Sequence, residues 1–543
     1  MGLSSRIDGD AVPGTVHLVD VDGTSHAMHS KGHQDIILVP APSKNPDDPL
    51  NWTPGRKALS TFCNFTYVMT IGISTATIYS VIVPISDATG VPVGTLNSGT
   101  GYMFLLLGWG LLIWQPLALV YGKRIVYLVS LLATVGILLW APHTTTSSQW
   151  LANKIIQGFF AAPIEALCEI SIADIYFSHE RGTYMGAYSL FLFGSNFIAP
   201  IIAGFIDDGQ GWQWVLYWSA IIPGIGFIIC FFFMEETNFY GRGTELDTAA
   251  GGSTDAVTNP PISLHSDSKN MELNSDSEAP SLGQAYTMKT YWQKLALIDR
   301  QPNRPKNIFL MMYRPILLLR FPVLLFSGFQ YGLTLVMFNI MNATASSILG
   351  SSPYNFSASM VGLCYFAPLI GAFIGASYTG WFGDKIGLWF ARRNKGIREP
   401  EHKLWLFNVS LILVPSALIL WGVGAYHHVH WFGLLFGMGM LGSTNAIGAT
   451  TAINYAVDSY KDLSGEGMVT VILIRNTMSF AIGYGITPWM ANTGLQNTFI
   501  AAAFIGLGFT ATFFIMIKWG RHFRLSSREA YWKYVETSVF AGH

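Results

Sequence analysis

Charged residues are scarce in this sequence. Asp, Glu, Lys and Arg make up 12% of its 543 residues, while 51% are hydrophobic; soluble domains carry about 25% charged residues. The 31 basic and 32 acidic side chains leave a net charge of −1, which points to neither nucleic acid nor an anionic membrane surface as a partner. Cysteine is rare too. Cys63, Cys168, Cys230 and Cys364 each fall inside an apolar segment, with no pairing or metal-type spacing, so neither a disulfide framework nor a metal site is expected. The first 57 residues lack a basic start followed by an apolar run, so no cleavable signal peptide is read there. No G-x-x-x-x-G-K-[ST] loop is present, which argues against an ATP-driven pump. No nucleophile–base pair gathers in one region, so the chain reads as a non-enzyme without a cofactor.

What is abundant is long apolar runs. Twelve stretches of roughly 20 residues are long enough to cross a bilayer as helices. Six lie near 58–83, 99–120, 125–141, 151–174, 184–206 and 213–234, and six near 319–341, 360–382, 404–424, 431–456, 468–490 and 497–517. This divides the chain into a polar tail (1–57), a six-helix half (58–234), a polar linker (235–318), a second half (319–517) and a C-terminal tail (518–543). The linker centre, near 244–290, is rich in Ser, Asp, Asn and Gly and reads as disordered. Its end, Thr290–Arg300, has the pattern of a short helix lying on the membrane. With the N-terminus inside, the inner connections contain Lys123, Arg124, Arg181, Lys385, Arg392, Arg393, Lys395, Arg398, Lys403 and Lys461, and the outer ones contain no Lys or Arg. Both termini and the linker are therefore expected in the cytosol.

The stretch LANKIIQGFFAAPIEALCEISIADIYFSHERG (151–182) carries Lys154, Glu165, Glu169 and Asp174 inside an apolar run. Charges at that depth cost a few kcal/mol at least, so they tend to face a cavity. Eleven residues, or three turns, separate Lys154 from Glu165, and four separate Glu165 from Glu169, which predicts one shared helix face. A proton- or cation-binding role is expected for at least one glutamate, the alternative being an interhelical hydrogen bond. Lys154 has two readings: proton coupling after a desolvation-driven pKa shift, or snorkelling to the outer interface.

Several segments carry a family resemblance. NPDDPLNW (45–52) resembles the entry motif of fungal 12-span drug:proton antiporters and their polyamine- or cation-transporting relatives, within the major facilitator superfamily. QPLALVYGKRIVYL (115–128) resembles the loop signature between spans two and three: Gly122, Lys123 and Arg124 match, while Leu119 and Val120 replace an Asp and a basic residue. The matching second-half loop keeps Asp384, Lys385 and Gly387. LANKIIQGFFAA resembles the fourth-span motif, with Lys154 where the family has an Arg linked to proton coupling. GSNFIAPIIAGF (194–205) resembles the fifth-span antiporter motif through Pro200 and Gly204, with Ala199 and Ala203 in place of glycines. The resemblance implies an all-α membrane protein with the major facilitator fold, 12 transmembrane helices in two six-helix halves rocking about a midplane site.

Within that frame, gating is assigned to Gly122, Lys123, Arg124, Asp174, Arg181, Asp384, Lys385, Asp458 and Arg475. A buried Arg needs partners, and Asp458 at the nearby inner end of span ten is one candidate for Arg475. Asn64, Tyr67, Asn196, Phe329, Gln330, Tyr331, Asn339, Asn445 and Asn476 are candidates for the substrate cavity. Gly437-Met-Gly439-Met-Leu-Gly442 fits a dinucleotide-binding pattern but lies inside an apolar helix with no strand before it, so it reads as a packing surface. His427, His428 and His430 read as a solvated loop. The sequon Asn355-Phe-Ser357 falls outside and is a glycosylation candidate; those at Asn51 and Asn64 lie in the wrong places. The expected function is proton-coupled efflux of a small organic compound, a drug or secondary metabolite, by a plasma-membrane monomer whose partners are substrate, protons and lipid. Uptake of polyamines or other organic cations is one alternative, and a non-transporting nutrient receptor is another.

Overall fold

The computed structural model describes residues 13–14, 16–17, 29–30, 33–37, 43, 45–239, 290–297, 307–393 and 397–536. The centre of the linker, most of the N-terminal tail, Lys395 and the side chains of His179 and Asp384 lie outside them. Among the described residues eleven helices are long and apolar enough to cross a membrane, and the bent pair Pro54–Ser80 with Ile82–Thr89, counted as one span, makes twelve. The first half continues with Val93–Tyr121, Lys123–His143, Ser147–Ile175, Glu180–Gln210 and Trp212–Phe233. The second comprises Pro322–Gly350, Ala358–Gly387, Pro400–Tyr426, Trp431–Ser459, Lys461–Thr493 and Leu495–Ser526. Proline opens the first and seventh spans at positions where its missing N–H has no intrahelical partner to lose.

The fourth span is not one continuous helix. It runs as Ser147–Ala161, a tight turn Ala162–Glu165, and Leu167–Ile175. Pro163 sits in that turn, where it can neither donate to the preceding carbonyl nor clear it. The expected shared face of Lys154 and Glu165 is therefore broken, and the two side chains go to different neighbours.

The halves meet at the end away from the termini. Ser346 donates to the Ser80 carbonyl at 3.4 Å, and Asn97 donates to the Ala343 carbonyl and to Thr487, each at 3.3 Å. Helix backbones come close there: a Cβ on Gly362 would lie 2.6 Å from the Pro200 carbonyl, and one on Gly483 would lie 2.8 Å from the Gly101 Cα. At the opposite end, Arg56 pairs with Glu235 at 2.5 Å, which brings the start of span one to the end of span six.

That second end is built up by three extra pieces. The helix Ile308–Leu317 before span seven places Arg314 3.0 Å from Glu466, and Arg314 also donates to the Tyr534 carbonyl at 3.1 Å. Strand β1 (Val16–His17) pairs antiparallel with a strand at Ile397–Arg398. Beside it the buried Arg524 binds Glu401 at 2.7 Å and donates to the Pro13 carbonyl at 2.7 Å. Part of the N-terminal tail thus docks on the second half instead of hanging free. The amphipathic helix expected at 290–300 is a single turn, Tyr291–Lys294, held beneath the first half by Arg124, which donates to the Leu295 carbonyl at 2.5 Å.

Candidate functional site

A cavity of about 1030 Å³ lies between spans four, five, eight and ten and the start of span eleven. It reaches from Ala166 and Phe197 to Lys461 and Asp462, so it opens at the end where the termini lie and is closed at the other. Its walls are mostly apolar, with Met185, Phe193, Ile370 and Phe373 among them, interrupted by Gln115, Ser189, Thr379, Thr450 and Asn454. An apolar wall with a few polar groups suits an organic molecule.

Glu169 is the carboxylate on this wall near the closed end. Among the described residues, no cation or hydrogen-bond donor reaches it, whereas its neighbour Glu165 is fully engaged: Arg475 Nη2 lies 2.5 Å from Glu165 Oε1. Arg475 also donates to Tyr331 Oη at 2.7 Å and to Asn476 Oδ1 at 2.9 Å, and its guanidinium lies 4.7 Å from the Tyr331 ring centre. This pair joins span four of the first half to span eleven of the second. Asp458 is not the partner of Arg475; it is taken by Lys403 at 2.9 Å, within the second half.

Lys154 neither snorkels nor lines the cavity. It is 1% exposed, donates to Gln157 Oε1 at 2.8 Å and sits 4.9 Å from the Trp150 ring centre. Gln157 in turn donates to the Ser74 carbonyl at 3.0 Å, tying span four to span one. The next polar layer belongs to the loop regions. Lys123 pairs with Asp174, both on the cavity wall. Arg124 donates to the Met234 and Phe231 carbonyls at 2.8 and 2.7 Å, Arg181 donates to the Ala173 carbonyl at 2.8 Å, and Lys385 stacks 3.5 Å over Trp381. Gly122 turns the chain at φ 123°, where a Cβ would meet Glu236. In this conformation these groups brace single halves, whereas among the described residues Glu165–Arg475 is an ion pair that crosses between halves.

The nine residues expected in the substrate cavity do not line it, for identifiable reasons. Asn64 donates to the Cys168 carbonyl and Tyr67 bonds Ser130, both inside the first half. Phe329 packs on Phe509 and Gln330 donates to Thr512, so this side of span seven faces span twelve. Asn196 donates to the Leu192 carbonyl of its own helix. Asn339 and Asn445 are buried in the second half, and Tyr331 and Asn476 serve Arg475. Pro200 and Gly204 pack against span eight at the closed end, and Asn355 lies exposed in the loop beside it. The cavity residues that sequence reasoning missed include the Gly182, Gly186 and Gly194 series on span five; their spacing of four and eight was the available signal.

The Major Facilitator Superfamily profile matches residues 61–393. An uncharacterized MFS-type transporter of Schizosaccharomyces pombe is 28% identical, the match covering 97% of this chain and 95% of that protein. Protein HOL1 of Saccharomyces cerevisiae is also 28% identical, over 97% and 98%. The MFS antiporter QDR3 of Candida albicans is 23% identical over 80% and 73%. Among solved structures, the nucleoside transporter NupG superposes with a TM-score of 0.57 at 12% identity, covering 85% of this chain and 99% of that one. The xylose transporter XylE from E. coli gives 0.55 at 10% identity, over 84% and 98%.

Proposed function

The chain belongs to the major facilitator superfamily of transporters, and from that premise we propose that it is a proton-coupled antiporter exporting a small organic compound across the plasma membrane. The observation that carries this reading is Glu169. Among the described residues it is an unpaired carboxylate on a mostly apolar stretch of the wall, while Glu165 four residues earlier is neutralised by Arg475. A lone acid in such a place holds either a proton or a basic group of the substrate, not both, and that competition is the physical basis of exchange. A proton arriving from outside releases the substrate, and deprotonation on the inner side readies the site again. The relative named as an antiporter supports the same reading.

Lys154 is the second proton-handling candidate, acting through Gln157 on the contact between spans four and one. The termini lie in the cytosol by the charge of the connecting loops, so the conformation described faces inward. Asn355, on the outer side, is the glycosylation site. A second reading, uptake of polyamines or similar organic cations, draws on the acids Asp174, Asp462 and Glu466 along the mouth of the cavity. The two are separated in proteoliposomes with an imposed pH gradient and a panel of lipophilic amines, neutral metabolites and polyamines. Proton-driven movement of lipophilic compounds against their gradient supports export by antiport. Movement of polyamines in the same direction as protons, with none of the lipophilic panel, supports uptake and rejects the first reading.

A further inference from the structure

Span eight is longer than a bilayer needs. Its main helix, Phe366–Arg393, follows a shorter segment, Ala358–Cys364. About 20 residues from Ala358 suffice to cross the hydrocarbon, which brings the helix to the interface just before Trp381. The remaining turns project into the headgroup region at the end where the termini lie.

The faces of this projection are sharply different. At about 100° per residue, the cavity-lining Ala372, Ala376, Thr379 and Gly380 share one side. Phe390 continues that side and stacks on His402 and Trp405, with ring centres 5.1 and 6.1 Å apart. Trp381, Lys385, Trp389 and Arg392 fall within about 80° of arc on the opposite side, with Arg393 at its edge. All five are exposed, Trp381 by 60% and Trp389 by 48%. Lys385 lies 3.5 Å over the Trp381 ring and Arg393 3.9 Å over the Trp389 ring. These indoles hold two cations on a surface that faces away from the transport pathway. On span twelve, Trp519 is exposed with Lys518 beside it.

We propose that this stripe is a binding site for the headgroup of an anionic phospholipid. The indoles sit at the hydrocarbon boundary, where their amphipathic rings are favoured. Lys385, Arg392 and Arg393 then meet the phosphate and a further negative group of the headgroup at the depth where anionic lipid attracts cations. The overall charge of −1 conceals this arrangement, because the recognising charge is concentrated on about two turns of a single helix. A stacked cation has already given up part of its freedom, which lowers the cost of ordering it on a ligand.

The test uses the full-length protein in neutral detergent, titrated with phosphatidylserine or phosphatidylcholine, with bound lipid counted by native mass spectrometry. Wild type is expected to retain phosphatidylserine in preference to phosphatidylcholine, and K385Q/R392Q/R393Q to lose that preference, at roughly five-fold weaker binding per cation removed. K385R/R392K/R393K should keep it, and so should K518Q/R521Q, which removes two cations from span twelve. Half-molar salt should weaken the wild-type preference. Should the triple Gln variant fail to fold, R392Q alone carries the same comparison. Equal retention of both lipids by wild type, or undiminished phosphatidylserine binding by the folded Gln variants, overturns the proposal.

Discussion

Glu165 of span four and Arg475 of span eleven meet at 2.5 Å across the boundary between the two halves. Both are nearly buried, and Tyr331 and Asn476 complete the hydrogen bonding of the guanidinium. A pair so placed ties the halves at one point while the rest of the cavity stands open. It also engages one of two neighbouring carboxylates in an ion pair and leaves the other, Glu169, facing the cavity.

Breaking that pair from one side leaves a buried charge without compensation. Arg475→Ala is expected to destabilise the protein by about 3–5 kcal/mol, read as a large fall in the melting temperature of the detergent-solubilised protein. Glu165→Gln with Arg475→Gln together should recover much of the loss. A double variant no more stable than Arg475→Ala would show that the pair does not act as a unit.

At the closed end, Gly362 faces the Pro200 carbonyl with no room for a Cβ. Gly362→Val should therefore force spans five and eight apart there and disfavour the inward-open state. Cysteine probes on the outer half of span five should become more reactive from outside, and transport should fall at least ten-fold. Unchanged outer accessibility would contradict this packing as the outer seal.

The docked tail gives a third outcome. Arg524 is 0% exposed and shared between Glu401 and the Pro13 carbonyl. Arg524→Ala leaves Glu401 buried and unpaired, at a cost of about 3–5 kcal/mol. Removing residues 1–20 takes away the Pro13 hydrogen bond and the short β1 pairing but leaves Arg524 on Glu401, and should cost less, about 1.5–3 kcal/mol. Thermal unfolding of the two variants side by side checks the order.

Lys154 has no carboxylate among its described partners; Gln157 and the Trp150 ring are what hold it. A buried cation in such company is a net cost to folding. Lys154→Met should accordingly melt no lower than wild type while losing gradient-driven transport. A variant that melts lower, with transport intact, would make Lys154 a structural residue.

The sequence carried the architecture well and the site poorly, for physical reasons. A span announces itself by twenty apolar residues whatever its neighbours, so both sets of six were readable. Which way a polar side chain points on a helix that is apolar all round has no such signal. Tyr67 and Gln330 look like cavity residues until the neighbouring spans take them up. The break at Pro163 was visible as a proline, yet its effect on the Lys154–Glu165 face needed the turn itself. Arg475 found Glu165 rather than Asp458 because pairing between halves depends on how they are set against each other, and no local pattern encodes that.

The central claim is that Glu169 carries the exchangeable proton while Glu165 does not. The direct measurement compares Glu169→Gln with wild type in proteoliposomes, following both pH-gradient-driven substrate accumulation and substrate–substrate exchange without a gradient. The account predicts that accumulation is lost in Glu169→Gln while exchange continues, because a permanently neutral side chain still permits the halves to rock. Full gradient-driven accumulation by Glu169→Gln would contradict it.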